Sequence, residues 1–180
     1  MDKSINNHVN ENKYYAQIRR CTVDDLENAL KLQAEVIDFL DKKHLLAGES
    51  REEFMESLEV DACFCAEMEG DMIAFAVLVA PRISDRNFGS YLGYNEEKML
   101  KTGSIDTSFV SPKHRGHGLQ QKLIRKRMET AREFGAKEVL STVDPENKYS
   151  LRNLEACGLR IIDERRLYGG LSRYIMRAEL

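Results

Sequence analysis

A strand, a loop with two glycines and an amphipathic helix follow one another over residues 103–134, and this succession constrains the fold most. Residues 103–110 are rich in β-branched and aromatic side chains, which predicts a β-strand. Apolar residues then recur at helical spacing and predict a helix with one buried face. They are Leu119, Leu123, Ile124, Met128, Ala131 and Phe134. Gly116 and Gly118 have no Cβ, so their N–H groups can approach a bulky anion. Because a helix start adds unpaired donors and partial positive charge, we expect a phosphate or diphosphate here.

The spacing of this loop excludes two common phosphate-binding motifs. No Lys-Ser/Thr pair follows Gly118, as a Walker A loop requires, and position 121, where a dinucleotide fingerprint has its third glycine, is Gln. Residues 115–120 instead resemble the Arg/Gln-x-x-Gly-x-Gly/Ala signature of the GNAT superfamily of N-acetyltransferases. Gln120 departs from that signature, because it replaces the last small residue. A surface helix start with turn glycines would account for the same residues.

A second segment, residues 144–159, follows a predicted strand at 138–143. It resembles the family's Asn-x-x-Ala/Ser-x-x-x-Tyr-x-x-x-Gly-Phe segment, with Asn147, Ser150 and Gly158 in matching places. A helix cap at Asn147 and a helix-ending Gly158 would explain these residues too, and both interpretations can hold together. Two such segments in order, one helix and one strand apart, favour a GNAT domain. The resemblance is strongest from about residue 103 onward.

The resemblance implies acetyl-CoA as cofactor and assigns a set of contacts to it. The implied cofactor-binding residues are Phe109, Val110, Arg115, Gly116, His117, Gly118, Leu119, Gln120, Asn147 and Ser150. In the family, the backbone at the end of the strand holds the pantetheine arm and polarises the thioester carbonyl. The side chains of Phe109 and Val110 are therefore expected to be ordinary core or wall groups.

Acyl transfer to an amine requires a neutral amine, a stabilised oxyanion and a proton for the departing thiolate. Asp106 is the candidate base by its position on the strand before the loop, although it could equally pair with a nearby cation. Many GNAT enzymes use a Tyr of the second segment as general acid, but Leu154 stands at that position. Tyr149 and Tyr168 are the candidate acids instead, and the thiolate could also leave with solvent help.

Composition indicates one ordinary soluble domain. The chain has 180 residues, 42% of them hydrophobic and 32% charged. We expect a flexible N-terminal tail at 1–13 and a GNAT-like domain at 14–180. No apolar run approaches membrane-spanning length and the first residues are polar, so we expect a cytoplasmic protein without a membrane partner. The four cysteines lack metal-site spacing, which favours reduced thiols and no metal.

Charge is unevenly distributed around a net value of −3, which argues against nucleic acid as a partner. Residues 24–71 hold fifteen Asp and Glu against four Lys and Arg, whereas residues 113–137 hold eight Lys and Arg against two Glu. Solvated helix faces explain most charge runs. The basic segment nevertheless coincides with the predicted phosphate loop, and the acidic half weakly suggests a cationic acceptor.

The predicted element order is β-α-α-β-β-β-α-β-α-β-β. Strands at 15–20, 62–67, 72–79, 159–168 and 171–177 complete it; the first alternates, and the strand at 72–79 is apolar on both faces. The fold class is α/β (α+β): a single domain with a central mixed, mostly antiparallel sheet flanked by helices. Residues 82–101 form a longer junction than the short hairpin turn of a typical GNAT domain, with a helical turn expected at 95–100. This segment could border the acceptor site or be a surface insertion.

Three functions are consistent with these sequence features. The leading hypothesis is an acetyl-CoA-dependent N-acetyltransferase acting on an amine of a small molecule or peptide by direct attack in a ternary complex, with a homodimer as a candidate assembly. The missing Tyr at Leu154 motivates an alternative, a non-catalytic acyl-CoA-binding sensor or regulatory module. A phosphate-ligand domain unrelated to CoA is the third.

Overall fold

The computed structural model describes residues 15–180, and the predicted tail at 1–13 lies outside them. The strands are β1 (Gln17–Arg20), β2 (Ala62–Met68), β3 (Asp71–Val79), β4 (Thr102–Val110), β5 (Glu138–Val143), β6 (Arg160–Leu167) and β7 (Leu171–Glu179). The helices are α1 (Leu26–Phe39), α2 (Arg51–Val60), α3 (Glu96–Met99), α4 (Leu119–Glu133) and α5 (Lys148–Ala156). This order is the predicted one, with α3 as the helical turn expected between 95 and 100.

One seven-stranded sheet, in the order β1-β2-β3-β4-β5-β7-β6, organises the described part of the chain. Only β4 and β5 pair in parallel among these neighbours, and α4 makes the crossover between them. All other pairs are antiparallel. The predicted mixed, mostly antiparallel sheet flanked by helices is therefore confirmed. Within residues 15–180, no helix combines the length and apolar character required to cross a bilayer.

Two cores cover the two faces of the sheet. On one face, α4 buries Leu119, Leu123 and Ile124 against the strands, as its helical spacing predicts. On the other face, α1 and α2 pack over an aromatic cluster in which the ring of Phe109 stacks on Phe75 at 5.6 Å. The interior of β3 is buried on both faces, which explains its nearly continuous apolar sequence.

Strand β4 is irregular at the position that matters most for a ligand. Its pairing with β3 shifts register between Ala76 and Leu78, which marks a β-bulge at Asp106 and Thr107 of β4, opposite Val77 of β3. Its pairing with β5 ends at Ile105 and Ser141, although β4 itself continues to Val110. The backbone edge of residues 106–110 therefore faces a gap between two parallel strands instead of a partner strand.

A buried arginine of α4 supports this bulge. The side chain of Arg127 is fully buried and donates from one guanidinium nitrogen to the carbonyl oxygens of Val77, at 3.1 Å, and Asp106, at 3.2 Å. Its Nε donates to the carbonyl oxygen of Leu123 at 3.2 Å. Burial lowers the pKa of Arg127 to about 10, because the charged form loses water. The bulge carbonyls thus obtain donors that a regular strand would have supplied.

The long junction between β3 and β4 is an ordered, internally bonded segment. The side-chain nitrogen of Asn87, which is fully buried, donates to the carbonyl oxygens of Arg82, Met99 and Thr102, each at 3.0 Å. Its side-chain oxygen accepts from the backbone N–H of Gly89 at 2.9 Å. One amide group therefore joins both ends of the junction to the start of β4.

Candidate active site

The loop between β4 and α4 has the backbone that the sequence predicted for a phosphate site. Gly116 and Gly118 adopt φ values of +85° and +71°, in the left-handed region that favours glycine. Gly118 is the N-cap of α4, a helix of 15 residues, and the loop from Arg115 to Gly118 is exposed. An exposed glycine loop therefore leads into the start of a long helix, which is the arrangement that the sequence predicts for a diphosphate.

A cavity of about 330 Å³ begins beside this helix start and runs into the gap between β4 and β5. Three of the predicted cofactor-binding residues line it: Gln120, Asn147 and Ser150. Gln120 donates to the hydroxyl of Ser150 at 3.1 Å, and Asn147 caps α5 by accepting from the N–H of Ser150 at 3.1 Å. The two signature segments thus meet at one wall of the cavity.

The remaining predicted cofactor residues lie along the loop and the core beneath it. The side chains of Phe109 and Leu119 are buried in the two cores, so only their backbone could face a ligand. Val110 is half-buried at the end of β4. Arg115 places its guanidinium 5.0 Å from the ring centre of Phe39, and His117 is exposed. The chain therefore offers backbone donors, an open β4 edge and nearby cations, which suit a diphosphate with a pantetheine arm.

The far end of the cavity is acidic. Asp106, the candidate base, accepts from the guanidinium of Arg86 at 3.2 Å. Arg86 also donates to the hydroxyl of Ser57 at 2.8 Å and lies 3.5 Å from the carboxylate of Asp61. Burial raises the pKa of Asp106, and the charge and hydrogen bond of Arg86 act in the opposite direction. The predicted alternative, in which Asp106 pairs with a cation, describes its position in this structure.

The candidate acids occupy different positions. Tyr168 lines the cavity from the turn between β6 and β7, and its hydroxyl lies 3.0 Å from the hydroxyl of Thr142. Tyr149 is 80% exposed on α5 and is not among the lining residues. Leu154, at the position where the family has Tyr, is buried and lines the cavity. Of the two candidates, only Tyr168 lines the cavity.

The junction between β3 and β4 forms one wall, through Asp85, Arg86, Phe88 and Tyr91. The rings of Phe88 and Tyr91 stack at 5.5 Å, and Tyr91 meets the edge of Tyr168 at 6.3 Å. The segment at 82–101 therefore borders the cavity, in agreement with one of its two sequence interpretations.

The connection between α1 and α2 forms the opposite wall and is tied to the start of α5. Lys42 lies 3.0 Å from the carboxylate of Glu146, and His44 lies 2.9 Å from the same group. Arg173 pairs with Asp144 at 2.5 Å and donates to the carbonyl oxygen of His44 at 2.7 Å. The donor atoms of His44, Asp144 and Glu146 lie within 4.8 Å of one another, but Lys42 and Arg173 already neutralise both carboxylates.

Several polar residues of this site escaped the sequence analysis, among them Glu49, Arg86 and Arg127. Arg127 carried a usable signal, because it lies on the apolar face of α4, three residues after Ile124 and four before Ala131. An arginine on such a face must find buried acceptors. Glu49 and Arg86 carried no comparable signal, since each is one charge among many in a connecting segment.

Glu49 makes stability depend on pH. Burial, reinforced by the negative charge of Asp106, raises its pKa from 4.5 to about 7. Between these values the folded protein keeps a proton that the unfolded chain has lost. The free energy of unfolding should therefore fall by about 3 kcal/mol as the pH rises through this window.

Urea titrations of the wild type and of Glu49→Gln isolate this contribution, because other titrating groups are shared. The variant should gain about 3 kcal/mol relative to the wild type between about pH 5 and about pH 8. Stability curves that run parallel over this range would contradict the assignment.

Comparisons with known proteins agree with this geometry. The family model described as the acetyltransferase (GNAT) family matches residues 26–159. A GNAT-family acetyltransferase from Streptococcus pneumoniae is 17% identical with a TM-score of 0.68, over 92% of this chain and 100% of that chain. The ribosomal-protein-S18-alanine N-acetyltransferase of Escherichia coli is 17% identical with a TM-score of 0.68, over 92% of this chain and 94% of that chain.

A third structure, yncA of Salmonella typhimurium, contains its cofactor acetyl-CoA. It is 15% identical with a TM-score of 0.67, over 92% of this chain and 94% of that chain. At such identities these likenesses establish the fold alone. No curated protein sequence matches the chain. The family model spans most of the chain and includes both signature segments, so the resemblance predicted from the sequence is confirmed. This chain belongs to the acetyltransferase (GNAT) family, which uses acetyl-CoA.

Proposed function

We propose that this protein transfers the acetyl group of acetyl-CoA to the amine of a small molecule or peptide, by direct attack in a ternary complex. The observation that carries the proposal is the continuity of one cavity. It joins the start of α4 and the open edge of β4 to an acidic end lined by Glu49 and Asp106. Acetyl donor and amine would therefore meet in the gap between β4 and β5.

Charge in the cavity favours a cationic acceptor. Five carboxylates line it, namely those of Glu49, Glu53, Asp85, Asp106 and Asp144. Three guanidinium groups oppose them, those of Arg86, Arg127 and Arg173. Arg86 and Arg173 are already engaged by Asp106 and Asp144. An amine that enters in its protonated form would meet the remaining negative charge.

The chain's own groups account for the remaining requirements. Backbone N–H groups along residues 106–110 would polarise the thioester carbonyl, and the end of the β4–β5 pairing at Ile105 supports this role because β5 does not cover that edge. Tyr168 is the candidate donor of a proton to the departing thiolate, given its place in the cavity wall. A thiol has a pKa of about 8.5, so the thiolate is a fair leaving group even when water supplies the proton.

Binding of acetyl-CoA is the first test. At about a hundredfold excess over its Kd, acetyl-CoA should raise the free energy of unfolding by roughly 2.7 kcal/mol. Gly118→Val should weaken binding at least about tenfold, because a β-branched residue cannot hold a φ of +71° at the helix start.

Gly70→Val is the matched control for that variant. Gly70 has a φ of +88° and open space around it, but it lies in the turn between β2 and β3, which holds none of the predicted cofactor-binding residues. It should lose stability without losing affinity for acetyl-CoA. No stabilisation of the wild type by acetyl-CoA would refute the proposal.

A non-catalytic acyl-CoA sensor is the second candidate function, favoured by the buried Leu154 where the family has Tyr. Release of free thiol from acetyl-CoA over a panel of primary amines separates the two. Turnover with any amine eliminates the sensor, whereas binding without turnover favours it.

A further inference from the structure

The backbone of Glu49 is held in place by the side chain of Gln33. Both backbone polar groups of Glu49 bond to the side chain of Gln33 on α1: Gln33 Nε2 donates to the carbonyl oxygen at 2.8 Å, and the Glu49 N–H donates to Gln33 Oε1 at 2.9 Å. Gln33 is itself buried. This clamp fixes a residue that lies in the connection before α2, where the backbone would otherwise be free to move.

One carboxylate oxygen of Glu49 has no hydrogen-bond partner among the described residues, and the residue lines the cavity. Its side chain is 10% exposed and lines the cavity wall. Among the described residues, Oε2 is buried and has no hydrogen-bond partner. Arg86 pairs with the other carboxylate oxygen: its Nη2 lies 4.0 Å from Oε1 of Glu49, which is beyond hydrogen-bonding distance. A buried carboxylate oxygen without a donor is costly, and a ligand that donates to it would remove that cost.

Charged and polar neighbours face Glu49 from three elements. Asp106 and Thr107 approach from β4, Glu53 from α2, and Arg86 from the junction before β4. Burial and the charges of Asp106 and Glu53 raise the pKa of Glu49 to about 7, while Thr107 and Arg86 oppose this rise. Asp106 differs, because its carboxylate is bonded to Arg86. Of the two carboxylates, Glu49 is the one with an oxygen, Oε2, that has no partner among the described residues and so is open to accept a proton.

We propose that Glu49 removes the proton from the acceptor amine, and that Glu49 and Asp106 together select an acceptor that enters as an ammonium ion. This rests on the proposed acetyltransferase function. An alkylamine of pKa about 10.4 enters protonated and donates to Oε2 of Glu49, which gives that oxygen its partner. Asp106 adds negative potential, and its hydrogen bond with Arg86, which also pairs with Asp61, keeps it from competing for the proton.

The proton transfer leaves every atom accounted for. One ammonium proton moves to the Glu49 carboxylate, and the freed nitrogen lone pair attacks the thioester carbonyl carbon. The C–N bond forms, the C–S bond breaks, and the sulfur leaves with its electron pair and takes a proton from Tyr168 or water. When Tyr168 is the donor, its hydroxyl recovers a proton from solvent. The remaining extra proton on nitrogen passes to solvent as the amide forms, and Glu49 returns its proton to water afterwards. The cavity's depth favours this transfer, because a desolvated ammonium gives up its proton more readily than one in water.

The experiment measures kcat/KM against pH, with saturating acetyl-CoA and the primary amine that the wild type acetylates fastest from a panel of alkylamines, diamines and amino-acid amides. The variants are Glu49→Gln, Glu49→Ala and the control Glu52→Gln, which makes the same charge change at an exposed residue on α2. The dissociation constant for acetyl-CoA is measured for each protein, and thermal unfolding shows that each one folds.

We expect Glu49→Gln to lower kcat/KM at neutral pH by about 100-fold or more and to abolish the acidic limb of the profile. Its affinity for acetyl-CoA should stay within about threefold of the wild type. Added formate should partly restore Glu49→Ala, because a small carboxylate can enter the space left by the side chain. A purely structural residue would not respond to formate. Glu52→Gln should behave like the wild type.

Two results would overturn the inference in distinguishable ways. If Glu49→Gln keeps the rate and the pH profile of an active wild type, Glu49 is not the base and the acetyltransferase function stands. If the wild type binds acetyl-CoA but acetylates no amine of the panel, the acetyltransferase function fails and the role of Glu49 fails with it.

Discussion

Arg127→Ala is expected to lower the free energy of unfolding by about 4 kcal/mol. Two costs combine: a large cavity under the sheet, and loss of the donor to the carbonyl oxygens of Val77 and Asp106. Relief of the buried charge offsets part of this, since burial already lowers the pKa of Arg127 to about 10. Urea denaturation with a constant m-value measures the difference.

Two further variants divide the effect. Arg127→Met fills most of the space without a donor, so it should cost about 2 kcal/mol, the share of the two carbonyls. Arg125→Ala removes a neighbouring exposed cation of α4 and should change stability by less than about 0.5 kcal/mol. If Arg127→Ala is as stable as Arg125→Ala, the bulge does not depend on this guanidinium.

Asn87→Asp is expected to cost about 4 kcal/mol or to prevent folding. The substitution replaces a nitrogen that donates to three carbonyl oxygens, each at 3.0 Å, with an oxygen that has nothing to donate. A buried carboxylate facing carbonyls must stay protonated or leave the site. The loss should shrink as the pH falls, because the protonated form recovers one donor.

Asn95→Asp is the matched control, with the same chemical change eight residues away. Asn95 is the exposed N-cap of α3, and its side-chain oxygen accepts from the N–H of Lys98 at 2.9 Å. An aspartate caps a helix as well as an asparagine does, so stability should change by less than about 0.5 kcal/mol. Thermal unfolding of both variants at neutral pH gives the comparison, and equal losses would contradict the special role of Asn87.

The secondary structure was predictable because each element has a local cause. Strand β5 was predicted at its observed bounds, since an apolar, β-branched run lies between polar connections. The turn between β2 and β3 followed from Gly70, and the structure gives Glu69 and Gly70 positive φ values of 55° and 88°. The phosphate loop and the start of α4 followed in the same way from two glycines before an amphipathic helix.

The acidic end of the site was not predictable, because long-range contacts create it. Arg86 meets Asp106 from a junction twenty residues earlier, and nothing local to either residue indicates the pairing. Glu49 becomes special only when the fold buries it beside Asp106. In the sequence it is one of fifteen acidic residues between 24 and 71. A side chain's surroundings decide its proton affinity, and residues distant in sequence supply those surroundings.

The early end of the pairing between β4 and β5 has a consequence for how the protein meets its substrates. Strand β4 contributes to a stable sheet along one edge and offers an unfinished hydrogen-bond ladder along the other. A pantetheine arm bound in this gap, as proposed, would form the hydrogen bonds to β4 that a neighbouring strand would otherwise form. The groups of the protein that recognise it would then be main-chain atoms. Mutation of side chains that line the acceptor end could then change which amine is accepted without weakening the binding of acetyl-CoA. Acceptor choice and donor binding would therefore be able to evolve separately.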